Sequence, residues 1–128
     1  MLQERHIHAV VPAADLDRAR AYWEGTVGLK PTTIRSNFVI YQCLDSWFAL
    51  SKSGGAGTAQ STAAAFMSHD LAADVAELKA RGVVFEEYDY PTLKTVDSIA
   101  DTGTFHAAWF RDSEGNIIGL VQFAEPPL

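Results

Sequence analysis

Apolar and polar positions along this chain run through the same order twice. Residues 5–11 are mostly apolar and β-branched, the pattern of a buried strand, and Pro12 is expected to end it. A helix is predicted over about residues 16–26. Its apolar side is Leu16, Ala19, Tyr22, Trp23 and Val27, with Asp15 as N-cap and Gly28 as the left-handed stop. Strands are predicted over residues 32–35, 38–44 and 47–52, the last two joined by a turn at Asp45-Ser46. Residues 53–62 are rich in Gly, Ala, Ser and Thr and read as a linker or mobile loop. The plan then restarts. A strand over 63–67 leads to a helix opened by Asp70-Leu71 and running to about residue 80. Gly82 stops it, and a strand follows over 83–88. Residues 91–103 are irregular and form a candidate lid. The chain closes on a hairpin, residues 106–111 and 117–123, about the turn Asp112-Ser113-Glu114-Gly115-Asn116.

The repeat is carried by particular residues. Asp15-Leu16 with Gly28-Leu29 in the first half matches Asp70-Leu71 with Gly82-Val83 in the second. An α+β chain of two tandem βαβββ modules follows, within one domain spanning residues 1–128: module one about 4–52, linker about 53–62, module two about 63–124.

Composition narrows the functions. Hydrophobic residues make up 48% of the 128, enough for one real core. A formal charge of -6 disfavours a nucleic-acid backbone as partner. Cys43 is the only cysteine, so no internal disulfide forms and a reducing cytoplasm is the expected compartment. The first residues lack the apolar run of a signal peptide, and no segment is long enough to span a membrane.

Three segments in order carry a family resemblance: Asp15-Leu16-Asp17-Arg18-Ala19, Leu78-Lys79-Ala80-Arg81-Gly82-Val83, and the hairpin from Ala108 to Gln122. Together they resemble the vicinal oxygen chelate superfamily of glyoxalases, ring-cleaving dioxygenases and bleomycin-resistance proteins. The resemblance implies that the sheets curl into an open cup with helices outside, that a ligand lies in the cup, and that the protein is a homodimer. It also implies four metal-ligand positions, which fall on His8, Ala49, Ala63 and Gly119. Only His8 carries a donor atom, so neither metal nor cofactor is expected. His6, His8, His69, His106, Asp101 and Glu87 are the residues from which a relocated site would have to be built.

Small residues at the ligand positions leave room for a ligand between aromatic walls. Alternation places Trp47 on the face of Ala49, and the hairpin places Trp109 opposite Gly119, with Phe110 toward the helices. The expected ligand-binding set is a floor of Ala49, Ala63, Ala65 and Gly119 walled by Trp47, Trp109, Tyr41, His6 and His8. Flat aromatic walls with few polar handles suit an aromatic or amphipathic small molecule. Three functions are therefore weighed. The first is a metal-free binding protein of the bleomycin-resistance type. The second is an enzyme: a lyase, isomerase or dioxygenase on a relocated metal, or a metal-free one with His8 or His106 as base. The third is an interaction protein whose cup is plugged. Asp112, Glu114 and Asn116 are assigned to the turn, and nothing beside Cys43 activates its thiol.

Overall fold

Two four-stranded sheets, each carrying a helix on one face, make up the computed structural model, which describes residues 1–127. The first contains β1 (Ala9–Ala13), β2 (Thr33–Ile34), β3 (Phe38–Cys43) and β4 (Ser46–Lys52) in the order β1-β4-β3-β2. The second contains β5 (Thr62–Met67), β8 (Ala100–Asp101), β9 (Phe105–Arg111) and β10 (Ile117–Phe123) in the order β5-β10-β9-β8. In each, the first strand pairs parallel with the last and the other pairs are antiparallel. The same permutation twice is the structural form of the sequence repeat. A small hairpin, β6 (Asp89–Tyr90) and β7 (Leu93–Lys94), precedes β8, and β1 runs beside β5 where the sheets meet.

The helices begin where the sequence puts them. Asp15 accepts from the Arg18 amide at 3.0 Å to cap α1 (Leu16–Arg20), and Asp70 accepts from the Ala73 amide at 3.2 Å to cap α2 (Leu71–Ala80). Beyond Arg20 the first helix widens into π-helical geometry over Ala21–Val27 and ends at Gly28, with φ of 94°.

Strand alternation sends Val11, Ala13, Val39, Tyr41, Phe48 and Leu50 of one sheet, and Ala108, Phe110, Ile118 and Leu120 of the other, into one shared core. Trp23 stands at its centre, its ring 5.1 Å from Phe48, 6.2 Å from Phe66 and 6.3 Å from Phe110. One side chain of the first module thus packs on strands of both.

The β9–β10 turn closes over this core as a polar lock. The buried Glu114 carboxylate accepts from Arg18 Nε at 2.7 Å, Arg18 Nη2 at 3.0 Å and the Asp15 amide at 2.8 Å. Asp112 accepts from the amides of Glu114 and Asn116, while Asn116 Nδ2 donates to the Pro12 carbonyl at 2.7 Å. These groups are more than turn formers: they tie the last hairpin to α1 and β1.

Several expected boundaries shift, each for a local reason. The first strand is Ala9–Ala13 and contains Pro12; β1 pairs only with β4, so a missing N–H on its free side breaks no ladder bond. The β3–β4 turn is Leu44-Asp45, bracketed by the Cys43–Ser46 pair, with Leu44 at φ 55°. No strand forms over residues 83–88. That segment makes a single bridge, Phe85 to Phe110, and a bond from the Glu86 amide to the Trp109 carbonyl. The linker is docked rather than loose: the Gly57 amide donates to Asn116 Oδ1, and a Cβ on Gly57 would lie 2.5 Å from the Glu114 carbonyl. The expected irregular lid carries β7, β8 and a Val96–Ile99 bridge, pinned where Glu87 accepts from the Ser98 amide and the Thr95 hydroxyl.

Candidate functional site

The faces of the two sheets turned away from the helices carry the candidate site. On the first sheet, Trp47, Ala49 and Ser51 alternate with the core residues Phe48 and Leu50, and Ala49 lies between Val10 and Ile40 in the ladder. Val10 is 62% exposed and Trp47 36%, large apolar surface for strand positions. The His8 ring stacks on the Trp47 indole with centroids 3.7 Å apart and planes at 14°, and His8 Nδ1 donates to the Trp47 carbonyl at 3.0 Å. His6 lies 6.2 Å from His8, ring to ring. His6, His8, Trp47 and Ala49 thus form one group.

On the second sheet Gly119 pairs with Trp109 on one side and Ala65 on the other. A Cβ at Gly119 would meet Trp109 Cδ1, Ala65 Cβ and Thr62 Cγ2, each at 3.5 Å, so the indole lies over the glycine. Tyr88 stands edge-on to Trp109 at 5.6 Å and stacks with Tyr90 at 6.0 Å. The second group is therefore Ala65, Gly119 and Trp109, widened by Thr62, Tyr88 and Tyr90. The sequence signal for the tyrosines was their spacing of two beside an acidic run; what hid them was that their segment reads as a strand and folds as a strap across the edge of β9.

Trp47 of the first group and Ala65 of the second share one cleft. A cleft of about 370 Å³ between the β3–β4 turn and β5 is lined by Trp47, Phe48, Cys43, Ala65, Phe66 and Met67 among others. Burial pushes the Cys43 thiol upward, away from the reactive thiolate.

Two expected members belong elsewhere. Tyr41 pairs with Phe48, not with Ala49, and so faces the core; it is fully buried and its hydroxyl donates to Glu24 at 2.9 Å. Burial and the Glu24 carboxylate hold that phenol neutral well above its usual range. Ala63 sits at a bulge, where the register jumps from Thr62–Ile117 to Ala64–Ile118, so it pairs with no residue of β10 and Ala65 is the partner of Gly119.

The residues for a relocated metal site do not converge. His106 Nε2 lies 3.4 Å from Asp101 on the surface, and Glu87 is engaged by Thr95 and Ser98. Hydrogen bonding from the Gly103 amide and from His106 holds the Asp101 carboxyl below its ordinary range. Among the described residues no group of three His, Cys, Asp or Glu side chains is arranged to hold an ion.

The comparisons with solved structures agree with this architecture. A glyoxalase/bleomycin resistance protein/dioxygenase from Alicyclobacillus acidocaldarius superposes with a TM-score of 0.73 at 16% identity, covering 95% of this chain and 93% of that one. The chain has the vicinal oxygen chelate fold. A bleomycin-binding protein complexed with bleomycin gives a TM-score of 0.70 at 19% identity, covering 92% of this chain and 98% of that one. A lactoylglutathione lyase from Agrobacterium tumefaciens gives 0.64 at 19% identity, covering 93% of each. No protein-family model matches the sequence, and neither does any curated protein. At the vicinal oxygen chelate metal positions the donor set does not fit a divalent ion. Ala49, Ala63 and Gly119 have no donor atom, which leaves the His8 imidazole as a single ligand, too few to hold a divalent ion.

Proposed function

We propose that this protein binds an aromatic or amphipathic small molecule, without metal, on the outer faces of its two sheets. The observation that carries this reading is Trp109 lying over Gly119: where metal-dependent relatives would present a carboxylate, this chain presents an indole face. Exposed apolar surface at Val10, Trp47 and Met67 supports it, as does the bleomycin complex of a structural neighbour. The ligand would lie between the His8–Trp47 stack and the Trp109–Tyr88 corner, with Ala65 beneath. The lone Cys43 supports a cytoplasmic setting.

The test is a fluorescence-quenching screen of planar and amphipathic compounds, run beside thermal shifts with divalent ions. Hits are expected to lose about tenfold or more in affinity in Trp109→Ala, the loss of one aromatic contact plus its buried area. The melting temperature should not respond to Mn²⁺, Ni²⁺ or Zn²⁺. A stoichiometric metal shift abolished by His8→Ala would overturn the reading in favour of metal-dependent chemistry.

The outer faces stay open in a single chain, and a second copy is the proposed means of closing each of them into a cup. Light scattering at micromolar concentration is expected to give twice the chain mass. A monomer there would overturn the homodimer.

A further inference from the structure

A second cleft lies on the other side of β5, toward the helices. Val27, Leu29, Leu78, Phe66, Phe110 and Leu120 give it an apolar floor, and Asp74 and Glu77 of α2 stand among its lining residues; its volume is about 270 Å³. The π-helical end of the first helix borders it. Gly28 donates to the Trp23 carbonyl, and its neighbours Val27 and Leu29 line the cleft together with Asp74, Glu77 and Leu78 of α2.

The two carboxylates lack counter-charges. Neither Asp74 nor Glu77 has a cation within 4.0 Å among the described residues, although α2 carries Lys79 and ends at Arg81. The Arg81 guanidinium lies against the Gly28 backbone and lines none of the cleft. Asp74 uses Oδ2 to accept from the Ser68 hydroxyl and keeps Oδ1. Asp74 is half-buried and Glu77 exposed, so two acids without a cation partner stand at the rim of an oily floor, an arrangement complementary to one kind of molecule. That molecule has a positive head and a short apolar tail.

We propose that this cleft binds a small organic ammonium ion, its tail on Phe66, Phe110 and Leu120 and its head between Asp74 and Glu77. The volume sits just below the roughly 300–1,000 Å³ of drug-sized sites, which restricts the tail to a short alkyl or single-ring group. The site is separate from the sheet faces, although Phe66 and Met67 wall both clefts.

Hexylammonium, hexanol and hexanoate are the probes, followed by calorimetry and by backbone amide shifts. Hexylammonium is expected to shift amides of α2 and to bind at least about tenfold more tightly than hexanoate, which the two acids repel. Glu77→Gln, on an exposed helix face, should weaken hexylammonium about two- to fivefold and leave hexanol unchanged. Trp47→Ala should leave hexylammonium binding intact, so failure of this proposal is distinguishable from failure of the sheet-face reading. Equal binding of the three probes, no response to Glu77→Gln, or no binding at millimolar hexylammonium would each overturn it.

Discussion

Trp23→Ala is expected to lower the unfolding free energy by about 3–5 kcal/mol, the range for deleting a fully buried tryptophan. Trp23 is 1% exposed and touches Phe48 from the first sheet and Phe66 and Phe110 from the second. The cavity left behind is bounded by both modules, so neither can collapse into it without moving against the other. The indole Nε1 also donates to Asp112 at 3.4 Å, and that carboxylate would lose one of its partners. Urea denaturation followed by circular dichroism measures the loss. A change under about 1 kcal/mol would mean that the modules are stabilised independently and that the shared core is incidental.

Glu114→Ala should be the next most damaging change, at about 2–4 kcal/mol near neutral pH. It leaves the Asp15 amide unsatisfied and the Arg18 fork without its bidentate partner. The lower half of that range is favoured because the Arg18 side chain is more than half exposed and can regain water. The same carboxylate sets an acid limit. The Arg18 hydrogen bonds hold its pKa down to about 2, against an ordinary 4.5. A depressed folded-state pKa means that the unfolded chain takes up the proton first. The contribution of Glu114 is therefore full above about pH 4.5 and is lost as pH falls toward about 2. Equilibrium unfolding between those limits should show the wild type losing stability more steeply than Glu114→Ala. Parallel acid limbs would place the acid sensitivity elsewhere.

These two residues mark the edge of what sequence pattern conveys. Trp23 reads as core from its spacing with Ala19 and Val27, yet nothing along the chain shows that its partners are Phe66 and Phe110. Glu114 reads as a turn residue, as any acidic residue beside Gly115-Asn116 would. Its true partner, Arg18, lies 96 positions away. Pairings at that separation leave no local periodicity.

The candidate site divides in the same way. Trp109 opposite Gly119 was legible because a hairpin fixes its own register once the turn is located. Trp47 beside Ala49 followed from alternation on one strand. Tyr41 belongs to the core with either turn: Asp45-Ser46 would set it opposite Leu50 and the observed Leu44-Asp45 sets it opposite Phe48, both core-facing, so cross-strand pairing and not the turn position buries it. Ala63 was displaced by a bulge, which alternation cannot foresee. Tyr88 and Tyr90 joined the wall because residues 83–88 fold over the edge of β9 instead of forming a full strand.

By itself the sequence determined the repeated α+β plan apart from the strand expected over residues 83–88, the capped starts of both helices, the last hairpin, and the lack of donor atoms at Ala49, Ala63 and Gly119. Each of these is a matter of local periodicity, capping chemistry or side-chain composition, and each is complete within a few residues of chain. The tertiary structure decided the rest: the shared core around Trp23, the Arg18–Glu114 lock and the acid-rimmed cleft beside α2. All of these join segments far apart in the chain, where the free energy lies in packing and partner geometry that no short stretch of residues encodes.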